Sequence, residues 1–249
     1  MSTYVISDLH GAKDKFDKLL KLIHFNENDT MYIIGDVIDR GKEPIPLLLE
    51  IMSYENIHLI IGNHEHMMYK ALVDNDTQNY RMWLYNGGLV TEEQLFDLDQ
   101  WNIDNIFDYL YTAPVVIPDL KITNIDGKEK HYYLAHSSFI NSKHIITTKT
   151  MKDLKSYEIN EAIWSRDYPY HYIRKTEAYK YFRDSILITG HTPTYHYYEN
   201  EPVQTKGHIF FGHKGHFIGI DCGCALYANG FTYGRLGCLR LEDNKEFYV

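Results

Sequence analysis

Short apolar runs that stop at a cluster of polar residues recur along the first part of the chain. Tyr4-Val5-Ile6 stops at Ser7-Asp8-Leu9-His10-Gly11. Residues 31–34 stop at Gly35-Asp36, with Asp39-Arg40-Gly41 just beyond. Ile57-His58-Leu59-Ile60-Ile61 stops at Gly62-Asn63-His64-Glu65. Each run has the length and β-branched character of a buried strand. The first polar residues, Asp8, Asp36 and Asn63, lie 28 and 27 residues apart. A strand, a crossover helix and its loops take about 30 residues. Helical periodicity fills the intervals. Phe16, Leu19, Leu20 and Ile23 fall on one helical face, and Pro44 suits the first turn of a second helix whose apolar residues lie at 47–52. Consecutive βαβ units give neighbouring parallel strands. The three polar clusters are therefore expected at one edge of one sheet, outside the carboxyl ends of the strands, where α/β sheets bind ligands.

The pattern then changes. Residues 65–112 read as a helical insertion: a helix over 65–73, a polar break over 74–79, a turn at Asn86-Gly87-Gly88, a helix opened by a Thr91/Gln94 capping box, and an amphipathic helix marked by Ile103, Ile106, Phe107 and Leu110. Strand character returns at 115–117 and 120–125. Asp126-Gly127 signals a hairpin, and 131–135 answers it and ends at His136. Residues 139–185 are polar and Tyr-rich, with short helices predicted near 150–164 and 176–183. Two more strands end at Gly190-His191 and at Asp221, and 234–241 is read as closing a hairpin with what precedes it.

Composition narrows the classes. A chain of 249 residues, 44% hydrophobic, with no linker or low-complexity tract, reads as one domain over 1–249 with a real core. A net charge of −9 disfavours nucleic acid as a partner. The first motif begins at Ser7, which leaves no room for a signal peptide. No apolar run is long enough to span a bilayer. Cys222, Cys224 and Cys238 form no CxxC pair and read as reduced. Together these readings point to a cytoplasmic protein with no membrane partner.

Five strand ends carry Asp8 and His10, Asp36, Asn63 and His64, His136, and His191. One acidic loop is ordinarily solvated, and one strand-end histidine is ordinarily a hydrogen-bonded or surface residue. Five strand ends converging with metal-type residues reverse that weighting. Carboxylate, amide and imidazole without thiolate suit two divalent first-row ions such as Mn, Fe or Zn better than a structural zinc. His208, His213 and His216, in a Gly-rich stretch, read as a solvated hairpin rather than a third metal site. Tyr168-Pro169-Tyr170-His171-Tyr172 reads as packing over a loop rather than a substrate patch. His66 reads as structural.

SDLHG, GDVIDRG, GNHE, a strand ending in His136, and TGHT occur here in the order and at the spacing of the calcineurin-like metallophosphoesterases. From residue 5 to about 241 the chain resembles that family, and within it the bacterial and phage serine/threonine protein phosphatases. The resemblance implies an α/β fold, a four-layer α-β-β-α sandwich with two mixed sheets and flanking helices. It implies two metals, Mn first and Fe or Zn after it, with Asp8 and His10 on one, Asp36 bridging, and Asn63, His136 and His191 on the other. His64 would be the general acid, oriented by Asp39, with Arg40 and Arg166 binding phosphate oxygens. The implied reaction is hydrolysis of phosphate monoesters, on phosphoserine or phosphothreonine of a protein or on a small phosphoester, by in-line attack of a metal-bridging hydroxide. These roles are chemically coherent: cations lower the pKa of water and offset phosphoryl charge, guanidinium forks match phosphate oxygens, and an imidazolium can protonate a departing alkoxide.

The main departure is Ile61. Many protein phosphatases place an arginine immediately before GNHE, and restoring one here is expected to add a phosphate contact. Symmetrical diadenosine tetraphosphatases, close relatives, have an aliphatic residue there, usually lack the acid equivalent to Asp39, and carry Asp where this chain has Glu65. Symmetrical hydrolysis of a dinucleoside polyphosphate is therefore the alternative activity. An inactive scaffold of this fold would be expected to have lost a ligand or the acid, and none is missing here.

Overall fold

The computed structural model describes residues 1–142, 145–166, 184–198, 206–225 and 234–249. The Tyr168–Tyr172 run, the helix predicted near 176–183 and the side chain of His213 lie outside what is described. The predicted βαβαβ opening is present as β1 (Thr3–Ile6), α1 (Lys13–Leu22), β2 (Thr30–Ile34), α2 (Pro44–Met52) and β3 (Ile57–Ile60). The strands are parallel, with Ile6 beside Ile33 and Ile33 beside Leu59. Pro44 occupies the first turn of α2, where its missing N–H costs nothing.

Beyond β3 come α3 (Asn63–Leu72), α4 (Thr77–Trp83), α5 (Leu89–Phe96) and α6 (Gln100–Thr112). The predicted turn at residues 86–88 is a five-residue π turn, Leu84–Gly88, which joins α4 to α5 through a kink at Gly87. Thr91 does not cap a helix. It lies inside α5, and its hydroxyl bonds Asp39 instead. Gln94 spans to the α2 entry, accepting from the Ile45 amide and donating to the Lys42 carbonyl. A tertiary demand has taken the side chains that a local motif would have used.

A second sheet follows: β4 (Pro114–Thr123), β5 (Glu129–Ala135), β6 (Lys149–Thr150), β7 (Ser185–Thr189), β8 (Phe210–Gly212) and β9 (Phe217–Gly219), with α7 (Ser156–Trp164) between β6 and β7. The two strand segments predicted at 115–125 are one strand whose register shifts between Ile117 and Leu120. Strand β8 pairs with β9 as a hairpin, as read for the His208–His216 stretch. The last hairpin differs from expectation. Strand β10 (Gly237–Arg240) pairs with the following β11 (Lys245–Tyr248), through a turn containing Asn244 at positive φ, and with β1 on its other side.

The two sheets run β11-β10-β1-β2-β3 and β6-β4-β5-β7-β9-β8, each of mixed direction. Alternation along the strands sorts side chains into two apolar clusters. Val5, Ile34, Ile60, Leu134, Ile188 and Ile218, drawn from both sheets, form one. Their neighbours Ile6, Ile33, Leu59, Tyr133 and Leu187 belong to the other, which includes the buried faces of the helices. Each fully buried aliphatic side chain contributes about 1.5–3 kcal/mol. A one-residue slip would turn a whole strand's set into the wrong cluster, so the register is firmly specified. The three clusters after β1, β2 and β3 lie at one edge of the first sheet, as expected, whereas β5, β7 and β9 belong to the second sheet, so the five strand ends converge from the edges of two sheets and not of one. No helix among the described residues is long and apolar enough to cross a membrane.

Candidate active site

The register brings the strand ends together. The Asp8 amide donates to Gly35 O at 3.1 Å and the His10 amide to Asp36 O at 2.9 Å. Gly190 donates to His136 O at 3.0 Å, and the His191 amide donates to the Asp8 carboxylate at 3.0 Å. Asp8, His10, Asp36, Asp39, Arg40 and His191 all hold positive φ, and they are six of the ten non-glycine residues that do so among the described residues. Such backbone persists only where its surroundings over-determine it, and it concentrates here.

Glu65 is one source of that determination. Its buried carboxylate accepts from the amides of Asp36 (2.9 Å), Val37 (2.8 Å), Ile38 (3.3 Å) and Gly62 (3.0 Å). Asn63 and His64 open helix α3 rather than sitting in an extended turn. The His64 amide donates to Asp36 Oδ1 at 3.1 Å, so a helix N-terminus faces that carboxylate. A Cβ on Gly62 would stand 2.3 Å from the same oxygen, which explains the glycine before Asn63.

Asp36 Oδ2 lies 3.3 Å from His136 Nε2, 3.6 Å from His10 Nε2 and 3.8 Å from His64 Nε2. The Nδ1 atoms of His10 and His136 donate to the carbonyls of Ile38 (2.9 Å) and Ile34 (2.8 Å), which turns each Nε2 toward Asp36. Asn63 Oδ1 is 3.0 Å from His136 Nε2. Among the described residues, two groups have donor atoms mutually within 4.8 Å: His10, Asp36 and His64, and Asp36, His136 and His191. His191 Nε2 is buried and has no hydrogen-bond partner among the described residues. An orphaned imidazole nitrogen among carboxylate, amide and imidazole donors fits a divalent cation.

Electrostatics favour the ligating forms of His10, His191 and Asp36. Burial, with the Arg40 charge, holds His10 well below the usual imidazole range, and burial with His136 does the same to His191. Burial works against the Asp36 charge, yet His136 and His64 hold it well below the usual carboxylate range. Asp8 is raised by burial and by Asp221. Asp221, at the end of β9, lines the same cavity of about 120 Å³. Burial pushes its carboxyl up to about 6, against the Gly223 amide bond. Asp221 carries the same strand-end signal as the other residues, and the structure adds it to the site.

His64 Nδ1 stands 2.5 Å from Asp39 Oδ2, both side chains buried. Trp83 Nε1 donates to both Asp39 oxygens at 3.0 Å and Thr91 Oγ1 donates to Oδ1 at 2.6 Å. Arg40 reaches His10 Nε2 with Nη1 and His64 Nε2 with Nη2, each at 2.9 Å. Arg166, exposed just after α7, lines the cavity with them. All ten predicted site residues are thus near one another. Glu65, Trp83 and Thr91, which hold them, carry no local sequence signal of that function. Ile61 does not reach toward this cavity: it is fully buried in the larger apolar cluster, so the expected phosphate contact from an arginine there is not supported.

Three comparisons bear on identity. Among curated proteins the chain is 26% identical over 172 residues to the symmetrical bis(5'-nucleosyl)-tetraphosphatase of Erwinia tasmaniensis, covering 68% of this chain and 54% of that protein. It is 25% identical over 165 residues to serine/threonine-protein phosphatase 2 of Salmonella typhimurium, covering 66% and 67%. The match thus spans about half the length of that tetraphosphatase. Among solved structures, a yeast serine/threonine phosphatase similar to human PP5 superposes with a TM-score of 0.60 at 15% identity, covering 100% of this chain and 79% of that one. A cold-active protein-tyrosine phosphatase of Shewanella superposes with 0.54 at 16% identity, covering 100% and 80%. Those structures speak for the fold, and the sequence itself matches the calcineurin-like phosphoesterase family over residues 1–217, so the chain belongs to that family.

Proposed function

We propose that this chain is a dinuclear-metal-dependent phosphatase of phosphate monoesters, acting on phosphoserine or phosphothreonine. Asp8, His10 and Asp36 would hold one cation, and Asp36, Asn63, His136 and His191 the other, with manganese the best activator. Two cations at such a site supply Lewis-acid stabilisation of phosphoryl charge and lower the pKa of bound water. Arg40 and Arg166 bind and orient the phosphate. When the Arg40 guanidinium turns to phosphate oxygens it leaves His64 Nε2, which is then open to take a proton from water and pass it to the leaving group. Asp39 keeps the imidazole aligned.

The observation that carries this reading is the His64–Asp39 pair, 2.5 Å apart and shielded from solvent. A serine or threonine alkoxide is a poor leaving group and needs that proton. A nucleoside diphosphate leaves more readily and needs it less. The curated relatives named as symmetrical tetraphosphatases favour a second reading, cleavage of diadenosine tetraphosphate. The deciding experiment compares kcat/KM for a phosphoserine peptide and for diadenosine tetraphosphate under the same manganese concentration. The peptide is expected to win. A dinucleotide advantage of about a hundredfold, on the order of 2.7 kcal/mol in transition-state stabilisation, would replace the first reading by the second.

A further inference from the structure

The segment from Trp83 to Thr91 borders the site, and its Asn86 lines the cavity. Neither Trp83 nor Thr91 lines the cavity. We propose that this segment is a positioning device that sets two groups at once: the His64 imidazole, through Asp39, and the Arg40 guanidinium, through the carbonyls of the π turn. The inference rests on the roles proposed above for His64 and Arg40.

Asp39 and Arg40 are consecutive non-glycine residues at φ 73° and 64°. Two such residues in a row need outside contacts to hold them. The segment supplies contacts to both. At Asp39, Trp83 and Thr91 donate to the carboxylate, and the Asp39 amide donates back to Thr91 Oγ1 at 3.0 Å. With these donors in place, Oδ2 has a fixed direction toward His64 Nδ1. At Arg40, the amide donates to Gly87 O at 3.1 Å and Nε donates to Asn86 O at 3.3 Å. That leaves Nη1 and Nη2 aimed at the site.

The π turn makes the double grip feasible. Thr91 follows Trp83 by eight residues, whereas two regular helical turns take about 7.2. In an uninterrupted helix the two side chains would be out of phase, and one carboxylate could not receive both. The wide turn Leu84–Gly88, kinked at Gly87, absorbs the excess. The same kink turns the Asn86 and Gly87 carbonyls toward Arg40. Gly87 has φ +102°, and a Cβ there would stand 2.8 Å from Arg40 Cγ, so the residue must be glycine for the arginine to lie where it does. Tyr85, in the same turn, is 92% exposed, while Leu84 packs against the larger apolar cluster and anchors the turn.

The test uses the full chain loaded with manganese, and three variants. Trp83→Phe removes the indole donor, Thr91→Val removes the hydroxyl, and Gly87→Ala disturbs Arg40. Hydrolysis of an alkyl and an aryl phosphate reads the His64 arm, because only the alkyl leaving group needs a proton. Calorimetric binding of inorganic phosphate reads the Arg40 arm without turnover. Trp83→Phe and Thr91→Val should lower kcat for the alkyl ester about tenfold more than for the aryl ester, the scale of a lost outer partner, with phosphate binding unchanged. Gly87→Ala should weaken phosphate binding about tenfold and leave the alkyl-to-aryl ratio alone. Thr91→Ser, which keeps the hydroxyl, should restore the ratio. Equal losses on both esters, no rescue by Thr91→Ser, or wild-type phosphate affinity in Gly87→Ala would each overturn the proposal. A wild-type protein without phosphatase turnover would remove the functional reading alone. The positioning role would then stand if Gly87→Ala still weakens phosphate binding and Thr91→Val still shifts the NMR resonance of the His64 Nδ1 proton.

Discussion

His136 Nε2 stands 3.3 Å from Asp36 Oδ2, in a place from which solvent is excluded on both sides of the contact. Burial alone would strip the imidazole of its proton. The Asp36 charge and hydrogen bond outweigh it and raise His136 from 6.5 to about 10. The sign for stability follows. In the metal-free fold the proton stays on through neutral pH, while in the unfolded chain it leaves near 6.5. The stabilisation is therefore complete below about pH 6.5 and lost as pH rises through about 10. The urea midpoint of chelated protein should fall across that window, and His136→Gln should flatten the fall. On the proposed ligand set a cation would take the same nitrogen, so manganese binding should release protons and tighten as pH rises over that range. Calorimetry in buffers of different ionisation enthalpy measures the release; none at pH 7.5 would contradict this picture.

The proposed acid is open to a leaving-group test. His64→Asn should slow hydrolysis of a phosphoserine peptide by about a hundred- to ten-thousand-fold. An aryl phosphate, whose leaving group departs without a proton, should lose far less. Equal losses would instead assign His64 to holding a cation, as its grouping with His10 and Asp36 also permits.

The sequence carried the parts of this site that repeat. A short apolar strand followed by a polar cluster recurs at Asp8, Asp36 and Asn63, and again at His136 and His191, and that repetition marks residues the structure brings together. Partition into two sheets was not legible that way, because strand ends look alike whichever sheet they close. Nor was the role of Thr91. Its spacing to Gln94 is that of a capping box, but a buried carboxylate 52 positions earlier claims the hydroxyl. Local motifs show what a side chain can do near its own backbone, and long-range demand then decides among the options. Glu65 shows the same limit: within GNHE it looks like one more polar residue, yet it organises the turn that carries Asp36.

That role of Glu65 yields its own prediction. Oε2 accepts from the amides of Asp36 and Gly62, and Oε1 from those of Val37 and Ile38. In Glu65→Gln one oxygen can serve two of these donors, while the new amide group points its own hydrogens at the other two. Two buried donors lose their acceptor, at about 1–3 kcal/mol each. The urea midpoint should fall accordingly, and manganese affinity should fall with it because Asp36 loses its backbone support. Unchanged stability and affinity would mean that the turn holds itself.

Ile61 is where sequence expectation and packing diverge most, and substitution there separates them. Next to GNHE, the sequence pattern predicts that an arginine would add a phosphate contact. In the structure Ile61 is fully buried in the larger apolar cluster, and its amide donates to Pro114 O at 2.8 Å, tying the end of β3 to the start of β4. A guanidinium on this side chain would enter apolar surroundings or force the link between the two sheets apart. An uncompensated buried charge costs about 3–5 kcal/mol, against which a phosphate contact of about 1.5–3 kcal/mol does not prevail. Ile61→Arg should therefore lower the melting temperature sharply and leave KM for an aryl phosphate no better. Ile61→Val, the control, should cost only about 0.5–1.5 kcal/mol and leave the kinetics intact. If Ile61→Arg instead keeps its stability and lowers KM, residue 61 faces the cavity when phosphate is bound, and its resemblance to the arginine-bearing phosphatases outweighs the packing argument.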